Sequence, residues 1–226
     1  MSNRAPFEQI PFDELPDEPR RPHALEATEE HRTEVVTATL GKIDTAFRSC
    51  GRGEPLLLIH GLMTSNYSWR YVYDLLGEEY RVFAPDLPGA GETEKRLNVQ
   101  YDPRALADWV AGFQRAVDIR GCPVVGNSLG GYICMWLALR DDEALGRLVN
   151  LHSPGLPTWR LRLLRGASSL PGTHRLIAWL ARRNPAKWAH EHVHYYDESL
   201  KSREEARVYA RPLATAEGSR AFAKYM

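Results

Sequence analysis

The distribution of hydrophobic and polar residues divides the chain into three stretches. Residues 1–30 show no periodicity: Pro6, Pro11, Pro16, Pro19 and Pro22 lie among Glu8, Asp13, Glu14, Asp17 and Glu18. A stretch with so little apolar surface cannot offset the entropy of ordering it, which predicts a flexible, acidic, proline-rich arm. Phe7, Ile10, Phe12 and Leu15 still leave the arm apolar residues with which to dock on the body.

Between residues 31 and 155, short apolar runs alternate with helical periodicity. Residues 35–40, the glycine at 41 and residues 43–47 predict a strand, a turn and a second strand. Residues 55–60 are continuously apolar up to His60, as in a strand buried on both faces of a parallel sheet. Trp69, Val72, Tyr73 and Leu76 recur at helical spacing, and residues 81–84 predict another strand. Leu106, Trp109, Val110, Phe113 and Val117 mark an amphipathic helix. Residues 123–126 and 148–151 predict two more strands around a helix at 129–140. Strands alternating with helices through short connections predict an α/β fold with a mostly parallel sheet and helices on both faces.

After Pro154 the alternation ends. Residues 156–226 carry helical periodicity only, at 161–164, 176–180, 188–196 and 202–209, broken by Pro157, Pro171, Pro185 and Pro212. This predicts a helical cap appended to the sheet.

Charge narrows the partners. Twenty-nine basic and 29 acidic side chains cancel, so no global field favours nucleic acid or a membrane. Cys50, Cys122 and Cys134 are far apart and match no metal or redox spacing, which suits a reducing compartment. The N-terminus leads into proline and acid rather than an apolar signal region, and no run approaches ~18 apolar residues. A cytoplasmic protein is expected.

The chemistry concentrates in Gly126-Asn127-Ser128-Leu129-Gly130-Gly131, between a predicted strand and a predicted helix. That context is the one a nucleophile elbow needs: a turn so tight that glycines must flank the serine, with its hydroxyl exposed above the sheet. Acyl transfer also needs two backbone donors for the developing oxyanion. The amide of Leu129 supplies one, and the loop opened by His60-Gly61 is placed to supply the other, from Leu62. His60 reads as a brace for that loop rather than as a general base. No cofactor and no metal are expected.

His60-Gly61, the segment Pro85-Asp86-Leu87-Pro88-Gly89-Ala90-Gly91, and the elbow from Gly126 to Gly131 together resemble the α/β-hydrolase fold-1 family, over roughly residues 33–155. In that family the Asp-x-Pro-Gly segment is a structural loop, which implies that Asp86 is not catalytic. Members that form alkyl esters carry aspartate at the elbow, so Ser128 points to acyl chemistry on esters, thioesters, amides or activated ketones. The Gly-Asn-Ser-x-Gly-Gly form is reminiscent of carbon–carbon hydrolases and related esterases.

The resemblance also implies a chain order of serine, acid, histidine, with the last two after strands that do not appear before Met226. The acid and base of the triad are therefore expected beyond Met226, the 226-residue chain alone is expected to be inactive, and the sheet is expected to lack its final strands. The alternative is a truncated, non-enzymatic member with a ligand- or partner-binding role. His152, His174, His190, His192 and His194 remain candidate bases, and His190 and His194 would share one helix face at i,i+4. Arg160, Arg162, Arg165, Arg175, Arg182, Arg183 and Lys187 accumulate without an acidic residue until Glu191. Interleaved with leucine and tryptophan, they make the cap a candidate for weak contact with an anionic membrane surface, beside a small-molecule, apolar acyl substrate.

Overall fold

The computed structural model describes residues 7–153 and 172–225 of the chain. β1 (Glu29–Thr37) and β2 (Gly41–Cys50) form an antiparallel hairpin, and Gly41, at φ +70°, makes the turn. The remaining strands are β3 (Glu54–Ile59), β4 (Tyr80–Pro85), β5 (Pro123–Asn127) and β6 (Arg147–Leu151). They join one sheet of order β1-β2-β4-β3-β5-β6. Pairing is antiparallel as far as β2–β4 and parallel from β4 to β6, as the alternating pattern predicts.

Alternation along β3 explains why its whole run is apolar. Leu57 and Ile59 enter one core with Phe83, Trp109, Phe113 and Ile133, whereas Leu56 and Leu58 enter another with Trp69, Tyr73 and Val82. α2 (Pro103–Ala116) and α3 (Leu129–Arg140) cover the first face, and α1 (Tyr73–Gly77) covers the second. α2 starts where the Asp102 carboxylate accepts the Arg104 and Ala105 amides, with Pro103 in the first turn. Trp109 and Phe113 are fully buried, which stabilises the layer by about 1.5–3 kcal/mol for each such side chain. β6 is the sheet's edge strand, and Val149 and Leu151 remain exposed there.

Beyond the sheet lie α4 (Thr173–Arg183), α5 (Pro185–His192), α6 (Arg203–Leu213) and α7 (Ala216–Ala223). Side chains of Asn184, Ser202 and Thr215 accept first-turn amides of α5, α6 and α7, so each start is written locally. The helix expected over 188–196 stops at His192, because Val193 turns extended. The expected helix at 161–164 and the division at 155/156 lie outside the described residues.

The N-terminal arm departs from expectation. Residues 7–17 are laid along the helical segment, with Ile10 and Leu15 each only 4% exposed, and Ala24 and Leu25 then pack against the core of Leu56, Leu58 and Tyr73. Carbonyls of Pro16 and Asp17 accept the Arg203 and Glu204 amides at 2.8 and 3.1 Å, capping the first turn of α6. Gln9 donates to the His190 carbonyl at 3.0 Å, and His190 Nε2 donates to the Ile10 carbonyl at 2.7 Å. Ile10 and Leu15, two of the apolar residues available for docking, supply part of this contact, and backbone carbonyls supply the rest.

Candidate active site

Ser128 sits between β5 and α3 at φ 51°, ψ −115°. A non-glycine residue reaches that region only at a cost of order 1–3 kcal/mol, so the surroundings must hold it there. They do so through the backbone: Ser128 N donates to Leu151 O at 2.8 Å, and Ser153 Oγ donates to Ser128 O at 2.8 Å. The flanking glycines answer a steric demand. A Cβ on Gly130 would lie 2.3 Å from the Ile59 carbonyl oxygen, and one on Gly126 would lie 2.5 Å from Gly131 Cα.

The loop after β3 comes against this turn. A Cβ on Gly61 would stand 3.3 Å from Ser128 Cβ, which places the Gly61–Leu62 segment beside the serine. Among the described residues, neither the Leu62 amide nor the Leu129 amide donates a backbone hydrogen bond. Leu129 opens α3, where the dipole favours negative charge.

His60 is fully buried, with both ring nitrogens engaged. Nδ1 donates to the Gly61 carbonyl at 2.8 Å, and Nε2 accepts the Leu87 amide at 2.9 Å. This partner set assigns the neutral tautomer protonated at Nδ1. Burial pushes its pKa down, against the upward pull of Asp86. His60 therefore ties the loop after β3 to the loop after β4 and offers no free nitrogen for proton transfer. Asp86 is equally committed: its carboxylate accepts the Asn66 and Glu92 amides at 2.7 and 2.8 Å.

Leu62, Met63, Leu87, Leu129, Leu213 and Phe222 line a pocket at this junction. Its unfilled volume is about 30 Å³, room for about one water. α7 accounts for the closure, because Phe222 packs beside Leu62 and Met63 and the Tyr225 hydroxyl donates to the Pro88 carbonyl.

The other histidines are dispersed. His174 donates to Ala223 O at 2.6 Å, His192 to Trp188 O at 2.8 Å, and His194 lies 3.4 Å from Glu198. His152 follows β6 at φ 54° and is exposed. Among the described residues no histidine is hydrogen-bonded to Ser128. The expected shared face of His190 and His194 does not form, because α5 ends between them. Among the described residues no cluster of three metal-ligating side chains occurs.

A buried polar network was missed from the sequence, because it joins Arg70 to Tyr195 and Glu205, 125 and 135 positions away, and carries no motif. Arg70 is fully buried, stacks 4.3 Å from both the Tyr67 and Tyr71 rings, and donates to Glu205 at 2.5 Å. Burial pushes the Glu205 carboxyl up, opposed by Arg70. The Tyr67 hydroxyl donates to Glu204 at 2.6 Å. These contacts fasten α6 to the turn that follows the Leu62 loop.

The sequence profile of a family described as alpha/beta hydrolase fold matches residues 54–197. A 2-hydroxymuconate semialdehyde hydrolase from Pseudomonas sp. strain CF600 is 38% identical over 117 residues, covering 50% of this chain and 41% of that protein. The uncharacterized hydrolase YugF of Bacillus subtilis strain 168 is 29% identical over 181 residues, covering 80% of this chain and 65% of that one. The chain thus spans less than two thirds of the length of either relative. Among solved structures, the meta-cleavage product hydrolase CumD of Pseudomonas fluorescens IP01, a mutant complexed with acetates, superposes with a TM-score of 0.61. It shares 26% identity, over 84% of this chain and 66% of that one.

Proposed function

The chain belongs to the alpha/beta hydrolase fold family, and from that premise we propose that it is a serine hydrolase in which Ser128 forms an acyl-enzyme. The observation that carries this reading is the Ser128 backbone, strained at φ 51° with the Gly61–Leu62 segment against it. The Ser128 hydroxyl attacks a substrate carbonyl, and the Leu62 and Leu129 amides hold the oxyanion. Losing one such donor typically costs about 2.7–4 kcal/mol of transition-state stabilisation. Serine needs a histidine base oriented by an acid. With His60 committed to its loop, both partners come from residues outside the described set.

The leucine, methionine and phenylalanine lining favours an apolar acyl group. Two relatives bear names of hydrolases acting on 2-hydroxymuconate semialdehyde and 2-hydroxy-6-oxo-2,4-heptadienoate, so activated ketones join esters and thioesters as substrates. Three unpaired cysteines support a cytoplasmic setting.

Labelling by a fluorophosphonate tests the reading. In a protein that carries the histidine and the acid, modification of Ser128, lost in Ser128→Ala along with ester hydrolysis, is the expected result. Absence of labelling, with hydrolysis intact in Ser128→Ala, would sink it.

A further inference from the structure

α4 presents two faces of opposite character. Ile177 and Ala181 turn inward and pack with Phe222 and Leu213 near Leu62 and Met63. Leu176, Trp179 and Leu180 turn outward at i, i+3 and i+4, and are 54%, 52% and 39% exposed. An apolar stripe on an outward helix face is not explained by the fold. Its flank is basic: a groove of about 650 Å³ between α4 and α7 is lined by His174, Arg175, Trp179, Arg182, Arg220 and Lys224.

Among the described residues Arg175, Arg182, Arg183 and Arg220 form no ion pair, although Arg183 lies 5.5 Å over the Trp179 ring. The nearby carboxylates act elsewhere, Glu191 facing Lys187 and Glu217 acting on Lys95 and Tyr101.

We infer that the outer face of α4, with the basic groove beside it, docks on an anionic lipid bilayer. Leucine and tryptophan side chains enter the headgroup–acyl boundary while arginines meet lipid phosphates, the arrangement of an interfacial amphipathic helix. Among the described residues no helix is long and apolar enough to cross a membrane, so the contact lies on the surface. A second copy of the chain fits less well, because a two-fold contact through this face would oppose the same unpaired arginines. The docked face is one packing layer from the Leu62 loop, through Ile177, Ala181 and Phe222.

The test is co-sedimentation of the full chain with vesicles of phosphatidylglycerol and phosphatidylcholine, against phosphatidylcholine alone. Binding is expected only to the anionic vesicles, weakening with salt and roughly five-fold with Arg182→Gln. Trp179→Ser is expected to weaken it as well. Both side chains are exposed, so an unchanged melting temperature confirms that the variants fold. Equal binding to both vesicle types, no binding, or binding indifferent to both substitutions would overturn the inference. So would self-association abolished by Trp179→Ser, or capture of free glycerol phosphate without vesicle binding. None of these readouts depends on Ser128, so this inference and the serine-hydrolase reading can fail separately.

Discussion

The turn at Ser128 and the junction between the helical segment and the sheet both bury polar groups, but they hold them by different means. At Ser128 the constraint is backbone against backbone: Ile59 O crowds Gly130, and Leu151 O accepts the serine amide. At the junction it is side-chain charge, with Arg70 donating to Glu205 and Lys201 lying 2.7 Å from Glu198, all four almost completely buried. A steric constraint cannot relax without moving strands. A buried ion pair separates once water reaches it, because solvation replaces its attraction. The difference implies a rigid turn at Ser128 beneath a helical layer able to loosen first, which suits a pocket that is nearly filled in this state.

The sharpest way to break the comparison is at the ion pair. Glu205→Ala leaves the Arg70 guanidinium buried without its carboxylate and is expected to cost about 3–5 kcal/mol. Urea denaturation measures the loss, and limited proteolysis should cut between α5 and α6 before it reaches the sheet. Gly130→Ala attacks the other side and is expected to cost about 3 kcal/mol, the upper end for overpacking, because the obstacle is a carbonyl. Fluorophosphonate labelling should fall with it while proteolysis of α5 and α6 stays unchanged; the reverse pattern would mean that the two regions are not independent.

A gentler probe is Ser202→Ala, which removes the hydroxyl that accepts the Glu205 amide. The expected loss is about 1 kcal/mol by thermal melting, because the arm's carbonyls still cap Arg203 and Glu204.

Acidification should give the smallest effect. Burial holds the pKa of His190 below 6.5, against the Ile10 carbonyl, and that of His60 below 6.5, against Asp86. Above 6.5 both rings are neutral in folded and unfolded chains, and stability is complete. As pH falls through 6.5 the unfolded chain takes up protons that the folded one resists, so stability declines. Melting temperatures across this range should drop, and His190→Gln should remove only the part belonging to the helical segment.

Much of the turn at Ser128 could be read from residue order. α3 occupies residues 129–140 as predicted, and the glycines around Ser128 announce a turn too tight for side chains. The sequence reads His60 as a brace for its loop and Leu62 as a donor beside it; the structure shows His60 bridging Gly61 and Leu87. The arm reads as flexible because its apolar residues are few; Ile10 and Leu15 are nevertheless the ones that dock, and the carbonyls of Pro16 and Asp17 that cap α6 are present in any sequence. The pairing of His190 with His194 failed on a single extended residue, Val193.

What the sequence determined by itself is therefore what arises within a few residues: hydrophobic period, cap residues, and glycines where backbone approaches backbone. Tertiary structure alone decided that Arg70 meets Glu205 across 135 positions, that the arm lies on α6, and that α4 turns Trp179 outward. The reason is physical. Steric and periodic constraints act along the chain, whereas desolvated charge and surface exposure depend on which distant elements come to lie side by side.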